Sequence, residues 1–359
     1  MAWSVSILDE SGEFHPQKGS VFRIAVARSN LTFQCGGLDF SRMSATAVNT
    51  SADGSAISAK GKSARFAAVR SVQIYEEAAE TTEATMAAIL ESFDHAFLRD
   101  DDLPDAAAEA GGQQQQPRCQ FIDVGCGPGT FTLKQLLPRL PSRCQRLVAV
   151  DNSEAMLDFA REHRADPRIE YRTLDLAAEV DVARFVREHG RFQRVYSFLA
   201  IHWTADQRSA MRNIETLMAP GGECFLVFSD NIVLFDIFKA MMTQPRWAKY
   251  SDRLKPYIPE TAGMKDIRSL RSHLASIVSA TNLIPLACEV FRTKAIMKLS
   301  RDISPDFFVL LNPVYPLLEE AEKAELKKFT LDFVRKHSTT GDPYKEQIML
   351  VIHAYKSTN

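Results

Sequence analysis

The chain has 359 residues, of which 45% are hydrophobic and 25% are charged, the balance of a soluble globular protein. Its formal net charge of -2 gives no support to nucleic-acid binding through bulk electrostatics. No apolar run approaches the roughly 18 residues that a membrane span needs. The six cysteines are scattered without a CxxC pair, which predicts reduced thiols and no metal site. The N-terminal stretch has no basic start followed by an apolar core, so we expect a cytoplasmic protein.

The first part of the chain differs in composition from the rest. Residues 1–70 are rich in Ser, Ala, Gly and Thr without a clear hydrophobic period, which predicts a low-complexity, partly disordered N-terminal extension. From Val72 onward, good helix formers and apolar residues at near-helical spacing predict a helix. Residues 100–117 combine acids, Ala, Gly, Gln and Pro, which predicts a surface linker. We therefore place the main domain at residues 71–355, with this linker inside it.

After Arg118 the sequence alternates between short apolar runs and helical segments. The predicted strands are CQFIDV, RLVAVD, RIEYRTLDL, RVYSFLA and ECFLVFSD, and helical patterns such as TFTLKQLLPRL and SEAMLDFAREH lie between them. Such alternation predicts βαβ units and a parallel sheet with helices on both faces. Two late strands, EVFRTKAIMKL and EQIMLVIHAYK, are separated by further helices.

Three glycines follow the first of these strands. Gly125, Gly127 and Gly129 form a GxGxG series between a predicted strand and a predicted helix. Glycine permits a tight turn with positive φ and lets a ligand lie against bare backbone. A dinucleotide fingerprint needs GxGxxG, but Thr130 stands where that pattern has its third glycine. The chain has no GxxxxGK[ST] sequence, so a nucleoside triphosphate is not expected either.

Acidic residues at three predicted strand ends identify the ligand class. Asp123 precedes the glycines, Asp151 closes the next strand and Asp175 ends the third. In an open α/β sheet these strand ends converge on the crevice where ligands bind. Asp123 suits the amino-acid end of a cationic adenosine cofactor, Asp151 its ribose hydroxyls and Asp175 its adenine amino group. The cofactor predicted is S-adenosyl-L-methionine, and residues on the same loops are assigned to its site: Cys126, Asn152, Met156, Leu176 and Ser197.

These motifs resemble a known family. FIDVGCGPG, VAVDNSEAMLDFAR, RTLDL and NIETLMAPGGECFLVF look like the successive motifs of class I S-adenosylmethionine-dependent methyltransferases. Within that class, SFLAIHW, the LFDIFKAM helix and LLNPVYPLLEE are similar to segments of juvenile hormone acid methyltransferases. The resemblance covers about residues 72 to 355 and implies a Rossmann-like, seven-stranded, mostly parallel sheet with an antiparallel last strand.

The resemblance also implies methyl transfer to the carboxylate of a hydrophobic, farnesoid-like acid. In that family a Gln on the N-terminal helix and the Trp of a His-Trp pair hold the substrate carboxylate. The pair falls on His202 and Trp203, which become the candidate catalytic residues, while helices within 232–342 are assigned to acceptor binding. Counted from Tyr75, the position of the Gln falls on or near Thr82, so this sequence departs from the family there.

The residues themselves leave alternatives open. A carboxylate is ionised near neutral pH and needs no general base, whereas an amine or hydroxyl acceptor would want one, and His202 is the candidate. His202 would otherwise pack at the core edge, and Trp203 would only wall the cofactor. A third interpretation is a cofactor-binding regulator without catalysis. The sequence does not define the oligomeric state.

Overall fold

Seven strands form one sheet in the computed structural model of the protein, which describes residues 59–104, 119–295, 305–338 and 345–358. The strand order is β3-β2-β1-β4-β5-β7-β6. The strands are β1 Gln120–Val124, β2 Arg146–Asp151, β3 Ile169–Thr173, β4 Phe192–Phe198, β5 Met218–Ser229, β6 Leu283–Ala295 and β7 Lys345–Lys356. Strands β1 to β5 pair in parallel, and β7 runs antiparallel to both of its neighbours, β5 and β6.

This topology confirms the fold predicted from the sequence: a Rossmann-like α/β sheet, mostly parallel, whose last strand is antiparallel. The chain order reverses between β1 and β4, where strand order steps from 3-2-1 to 4-5. Ligands of open α/β sheets bind outside the carboxyl ends of the strands at such a switch point. Both β1 and β4 are buried along their whole length, as expected for parallel strands covered on two faces.

Nine α-helices surround the sheet in the described part of the chain. They are α1 Ala59–Ser92, α2 Glu154–His163, α3 Glu179–His189, α4 Gln207–Leu217, α5 Val233–Thr243, α6 Ser251–Leu254, α7 Ile267–Val278, α8 Pro305–Leu310 and α9 Glu320–Ser338. Among the described residues, none of these helices is long and apolar enough to cross a membrane.

One predicted boundary differs from the structure. Helix α1 begins at Ala59 and not near Val72, so the domain boundary predicted at residue 70 falls inside a helix. The Ala, Lys and Arg residues before Val72 are strong helix formers, and their helical propensity outweighs the low-complexity composition. Residues 1–58, which hold the rest of the predicted extension, and residues 105–118 of the predicted linker lie outside the described residues.

The segment after the glycines is not the single α-helix that was predicted. Residues Thr132–Leu136 form a turn of π-helix, and Leu137–Arg139 continue as a 3-10 turn. Pro138 lacks the N–H that an α-helical ladder would need at this point, so a regular helix cannot continue through it. The strand β1 is therefore followed by a short, irregular helical segment, whose Thr132 hydroxyl donates to Asp123 of the strand.

A buried ionic network fixes the chain that follows α1 against the sheet. The Nε of Arg194 on β4 donates to Oε1 of Glu223 on β5 at 2.7 Å, and Nε2 of His353 on β7 lies 2.7 Å from Oε2 of the same carboxylate. The backbone N–H of Leu98 donates to Glu223 at 3.1 Å, and Arg194 donates to the Leu98 carbonyl at 2.9 Å. The guanidinium also lies 4.7 Å from the centre of the Phe97 ring. These contacts anchor the chain that follows α1 to the middle of the sheet.

Replacing Glu223 by Gln should destabilise the protein strongly. The side chain of Arg194 is only 4% exposed, so the substitution would leave a buried guanidinium without its counter-ion. We expect the free energy of unfolding to fall by about 3 kcal/mol, measured by urea denaturation followed by circular dichroism. The matched control is Glu170→Gln, because Glu170 pairs with Arg146 and Arg172 at the exposed edge strand β3. That control should cost less than about 1 kcal/mol, and an equal loss in both variants would contradict the role of the network.

Candidate active site

The loop between β1 and the π-helical turn has a backbone that only glycine adopts without strain. Gly125, Gly127 and Gly129 have φ values of +79°, +53° and +76°. A Cβ on Gly125 would stand 2.1 Å from Cβ of Ala200, and a Cβ on Gly129 would stand 2.6 Å from the Tyr171 hydroxyl. Backbone strain and close packing both require glycine here, and the loop consequently presents bare backbone at the sheet edge.

Asp151 at the end of β2 holds this loop in place. Its Oδ2 accepts the N–H of Gly127 at 3.0 Å, and its Oδ1 accepts the N–H of Ser153 at 2.8 Å. Burial raises the pKa of the carboxyl above its ordinary value, while these N–H groups oppose the rise. The sequence predicted ribose contacts for Asp151 but not this structural role. Each carboxylate oxygen retains a further lone pair for a ribose hydroxyl, so the predicted contact remains compatible with the geometry.

Asp123 lies one residue before the end of β1 and carries an unsatisfied oxygen. Its Oδ2 accepts the hydroxyl of Thr132 at 2.6 Å, whereas its buried Oδ1 has no partner among the described residues. Burial raises the pKa of this carboxyl to about 7, and the nearby Asp151 adds to the rise. A buried acceptor without a donor costs free energy, so this oxygen suits a ligand that brings a donor or a positive charge.

The residues assigned to the adenosine end lie on the loops that follow β2 and β3. Asn152 and Asp175 both border an open groove of about 560 Å³, which then continues along α3 to His189. The Asp175 carboxylate accepts the N–H of Ala177 at 3.0 Å and stays half-buried. Asp175 and Asn152 thus line the same groove, but most of that groove follows the edge of the sheet and not the cofactor crevice, so their contacts with the cofactor stay predictions.

The four other assigned side chains vary in what they can offer a ligand. Ser197 is fully buried and donates its hydroxyl to the Val124 carbonyl at 2.8 Å, so this side chain ties β4 to β1. Cys126 lies buried inside the glycine loop, and burial raises the pKa of its thiol well above the usual value. Leu176 is buried and Met156 half-buried. Because the hydroxyl of Ser197 donates to the Val124 carbonyl, it does not support the predicted contact of Ser197 with the cofactor.

A second, smaller cavity of about 120 Å³ lies directly over the glycine loop. Helix α1 forms one wall, opposite the loop and the ends of β1 and β4. The lining includes Tyr75, Glu76, Ala79, Glu83 and Met86 of α1 together with Asp123, Gly125, Gly127, Phe131, Lys134, Arg164, Phe198 and Leu199. The sequence prediction assigned none of these α1 residues to the site, although their spacing of three and four places them on one helix face.

His202 and Trp203 lie on a 3-10 turn that follows β4. Leu199, just before the turn, has φ +54°, an uncommon left-handed conformation for a residue with a Cβ. His202 is 3% exposed, its Nδ1 has no partner among the described residues, and burial lowers its pKa to about 3. Its ring centre lies 5.5 Å from Trp203 and 6.2 Å from Phe235 of α5. The histidine is therefore neutral across the ordinary pH range.

The aromatic residues of the helices after β5 form a packed core of their own. Phe235, Phe238 and Trp247 are buried and contact Leu254 and Phe308 in one apolar cluster, against which Trp203 packs. The apolar residues that border the 120 Å³ cavity come instead from α1, the glycine loop and the end of β4. Trp203 is half-buried and lies 5.6 Å from Phe235, with the two rings edge to face.

Comparison with known proteins agrees with this geometry. Residues 121–222 match the family model described as a methyltransferase domain. The chain is 32% identical to juvenile hormone acid O-methyltransferase of Bombyx mori over 139 residues, which cover 39% of this chain and 48% of that protein. It is likewise 32% identical to the Drosophila melanogaster enzyme of that name, over 38% of this chain and 46% of the relative. It is 27% identical to trans-aconitate 2-methyltransferase of Enterobacter sp. strain 638, over 56% and 80%.

The strand order and the glycine loop agree with the match of residues 121–222 to a methyltransferase domain. Among methyltransferases, the chain resembles the juvenile hormone acid O-methyltransferases, of which it spans about half the length. S-adenosylmethionine is accordingly its cofactor, and the residues present fit that molecule. The unpartnered Oδ1 of Asp123 suits its ammonium group.

The affinity for S-adenosylmethionine should depend on the ionisation of Asp123. With a pKa of about 7, this carboxyl is protonated in the free protein at lower pH and has to ionise to attract a cation. We expect the dissociation constant to rise about tenfold between about pH 8 and about pH 6, measured by isothermal titration calorimetry.

The matched variant is Asp123→Asn, which keeps the shape and removes the titration. At each pH, the dissociation constant of the variant is divided by that of the wild-type protein. A titration of the cofactor itself affects both constants equally, so this ratio reports on Asp123 alone. This ratio should shrink as the pH falls, because the protonated carboxyl of Asp123 and the carboxamide of the variant are both uncharged. A ratio that stays constant over this range would show that Asp123 does not change its charge there.

Proposed function

We propose that the protein transfers a methyl group from S-adenosylmethionine to the carboxylate of a small hydrophobic acid. The names of the relatives support this acceptor class, because juvenile hormone acid and trans-aconitate are both carboxylic acids. The cofactor supplies a methyl group that is already activated on a sulfonium. The protein then has to align the acceptor, exclude water and favour the correct geometry.

The observation that carries the proposal is that the imidazole of His202 is buried and uncharged. Because burial lowers its pKa to about 3, this imidazole is a weak proton acceptor at neutral pH. A general base works best when its pKa is near the working pH, so His202 is poorly suited to deprotonate an amine or a hydroxyl. A carboxylate is already anionic at neutral pH and needs no base.

The walls of the site suit an acid with an apolar body. Phe131, Phe198 and Leu199 border the cavity above the glycine loop, and Met86 of α1 closes the opposite side. Trp203 follows the same strand end, and an indole N–H that becomes buried usually takes a hydrogen-bond acceptor. In this proposal Trp203 orients the acceptor carboxylate, while the apolar residues receive the hydrocarbon.

The position of the family's Gln is occupied differently in this chain. The hydroxyl of Thr82 donates to the carbonyl of Ala79 within α1, at 3.0 Å, and so is turned to its own helix. The neighbouring Glu83 borders the cavity and accepts the side-chain amide of Gln135 at 2.8 Å. Neither α1 residue replaces the missing amide, so the proposal relies on Trp203 to hold the acid.

Methyl transfer to a panel of acceptors tests the acceptor class. The panel contains farnesoic acid, its epoxide, medium-chain fatty acids, small amines and phenols, each with labelled S-adenosylmethionine. We expect methyl esters from the hydrophobic acids, and a loss of at least about tenfold in kcat/KM for Trp203→Ala, because one positioning contact is removed. Trp247→Phe, a change in the packed cluster, serves as the control for general disturbance of these helices.

Two other outcomes would replace the proposal. If amines or phenols react and acids do not, the acceptor class is wrong and His202 has to be reconsidered as a base. If wild-type protein binds S-adenosylmethionine but methylates nothing in the panel, a cofactor-binding regulator becomes the better description.

The pH profile of turnover gives an independent test of His202. At saturating cofactor, kcat with an acid acceptor should show no histidine limb between about pH 5 and about pH 8, because this group titrates far below that range. His202→Gln should lower kcat by less than about tenfold, since loss of a general base commonly costs about 100-fold or more. A limb near pH 6.5 that disappears in His202→Gln would instead identify the histidine as the base.

A further inference from the structure

Helix α1 covers the end of the cofactor cleft closely. Tyr75 stands over the glycine loop, with its Cε1 atom 3.7 Å from the place of a Cβ on Gly127. Burial, and the nearby charge of Asp151, raise the pKa of the Tyr75 phenol to about 12. The cavity between α1 and the loop measures about 120 Å³, and α1 forms one of its walls. Because α1 lies over the loop, an outward movement of α1 opens the way for a cofactor to enter or leave.

Three polar side chains join α1 to the opposite wall of the cleft. Oε1 of Glu76 accepts Nη2 of Arg164 at 2.7 Å and also accepts the hydroxyl of Thr130. The Nε of Arg164 donates to the same Thr130 hydroxyl at 3.1 Å. Only 20% of the Arg164 side chain and 19% of the Glu76 side chain are exposed. We call these residues the latch: Glu76 of α1, Thr130 of the loop and Arg164 at the end of α2.

The Arg164 end of the latch is fixed to the body of the domain. Its backbone N–H donates to the Ala160 carbonyl at 2.8 Å, and its carbonyl accepts the hydroxyl of Tyr171 at 2.9 Å. The guanidinium lies 5.5 Å from the centre of the Phe159 ring. Tyr171 in turn packs against Gly129, so the same tyrosine supports the loop and the latch. Opening therefore separates Glu76 from a fixed Arg164.

Among the side chains that the structure describes, the ion pair is the polar contact between α1 and this wall that has a charge on both partners. The bond from Gln135 to Glu83 at 2.8 Å has one charged partner. Hydrogen bonds between two charged groups are shorter and stronger, and partial burial shields this pair from screening by salt. Breaking the bond between Glu76 and Arg164 should consequently account for most of the free energy that opening α1 at this end requires.

We propose that Arg164 is a positioning residue that holds α1 closed over S-adenosylmethionine through Glu76, so that this ion pair sets how fast the cofactor is released. The inference rests on the cofactor cleft and not on the identity of the methyl acceptor. Arg164 acts through α1 and takes no part in the methyl transfer itself.

The test compares cofactor release from Arg164→Ala and from wild-type protein. We expect the dissociation rates of S-adenosylmethionine and S-adenosylhomocysteine, measured by surface plasmon resonance on the full chain, to increase about tenfold. The control is Arg161→Ala, because Arg161 lies on the same helix but pairs with Glu154 and Asp158 on the exposed side. The control should change release by less than about twofold.

Two further variants separate positioning from general destabilisation. Glu76→Gln removes the charge from α1 alone and should accelerate release to a similar degree. The charge exchange, Glu76→Arg with Arg164→Glu, should return the dissociation rate to within about threefold of wild type if the pair itself is responsible. The melting temperature of each cofactor-free variant is measured alongside.

The possible outcomes decide between the two roles of Arg164. Release from Arg164→Ala that matches the Arg161→Ala control would overturn the proposal. Faster release with a lower melting temperature and no rescue by the exchange would also overturn it, in favour of a structural role. If the wild-type protein binds S-adenosylmethionine but methylates no acceptor in the panel, cofactor release can still be measured. The latch proposal is therefore tested independently of the proposed acceptor.

Discussion

The bond between the Asp151 carboxylate and the N–H of Gly127 is the contact on which the rest of the site depends. It joins the loop after β1 to the end of β2, while the Gly125 and Cys126 N–H groups bond to the Val150 carbonyl at 2.7 and 2.9 Å. Together these bonds hold three glycines at positive φ against neighbouring side chains. The cleft therefore has a floor of fixed backbone before any ligand arrives, and a preformed floor lowers the ordering cost of binding.

The same arrangement places two carboxyl groups, Asp123 and Asp151, close enough for their charges to interact. Asp123 and Asp151 are both partly or fully withdrawn from water, and the charge of Asp151 disfavours ionisation of Asp123, which adds to the rise in the Asp123 pKa. A cation bound at such a site is favourable, because it offsets both the desolvation of the carboxylates and the repulsion between them. The positive charge of the cofactor would thus offset the unfavourable burial of these carboxylates.

Local patterns predicted the sheet and its glycine loop well, since both follow from short-range rules. Strand and helix periods identified the βαβ units, and the GxGxG spacing predicted the tight loop after β1. Burial and long-range contacts were not predictable in this way. Ser197 reads as a polar residue at a strand end, yet its hydroxyl bonds to Val124, 73 positions away. The His202 pKa depends on α5 and Trp203 packing around the ring, and the packing of neither neighbour is visible in the local sequence.

Helix α1 contributes residues to two parts of the proposed mechanism, cofactor release and acceptor access. Its face toward the cavity carries Glu76, which ties the helix to Arg164, and Glu83, next to the position where the family has its Gln. These residues are seven apart, two helical turns on one face. On the two proposals above, a movement of α1 that frees the cofactor would also withdraw the wall nearest the acceptor. Acceptor access and cofactor release then share one moving element. In such a site, a change of acceptor through α1 would alter the retention of the cofactor as well.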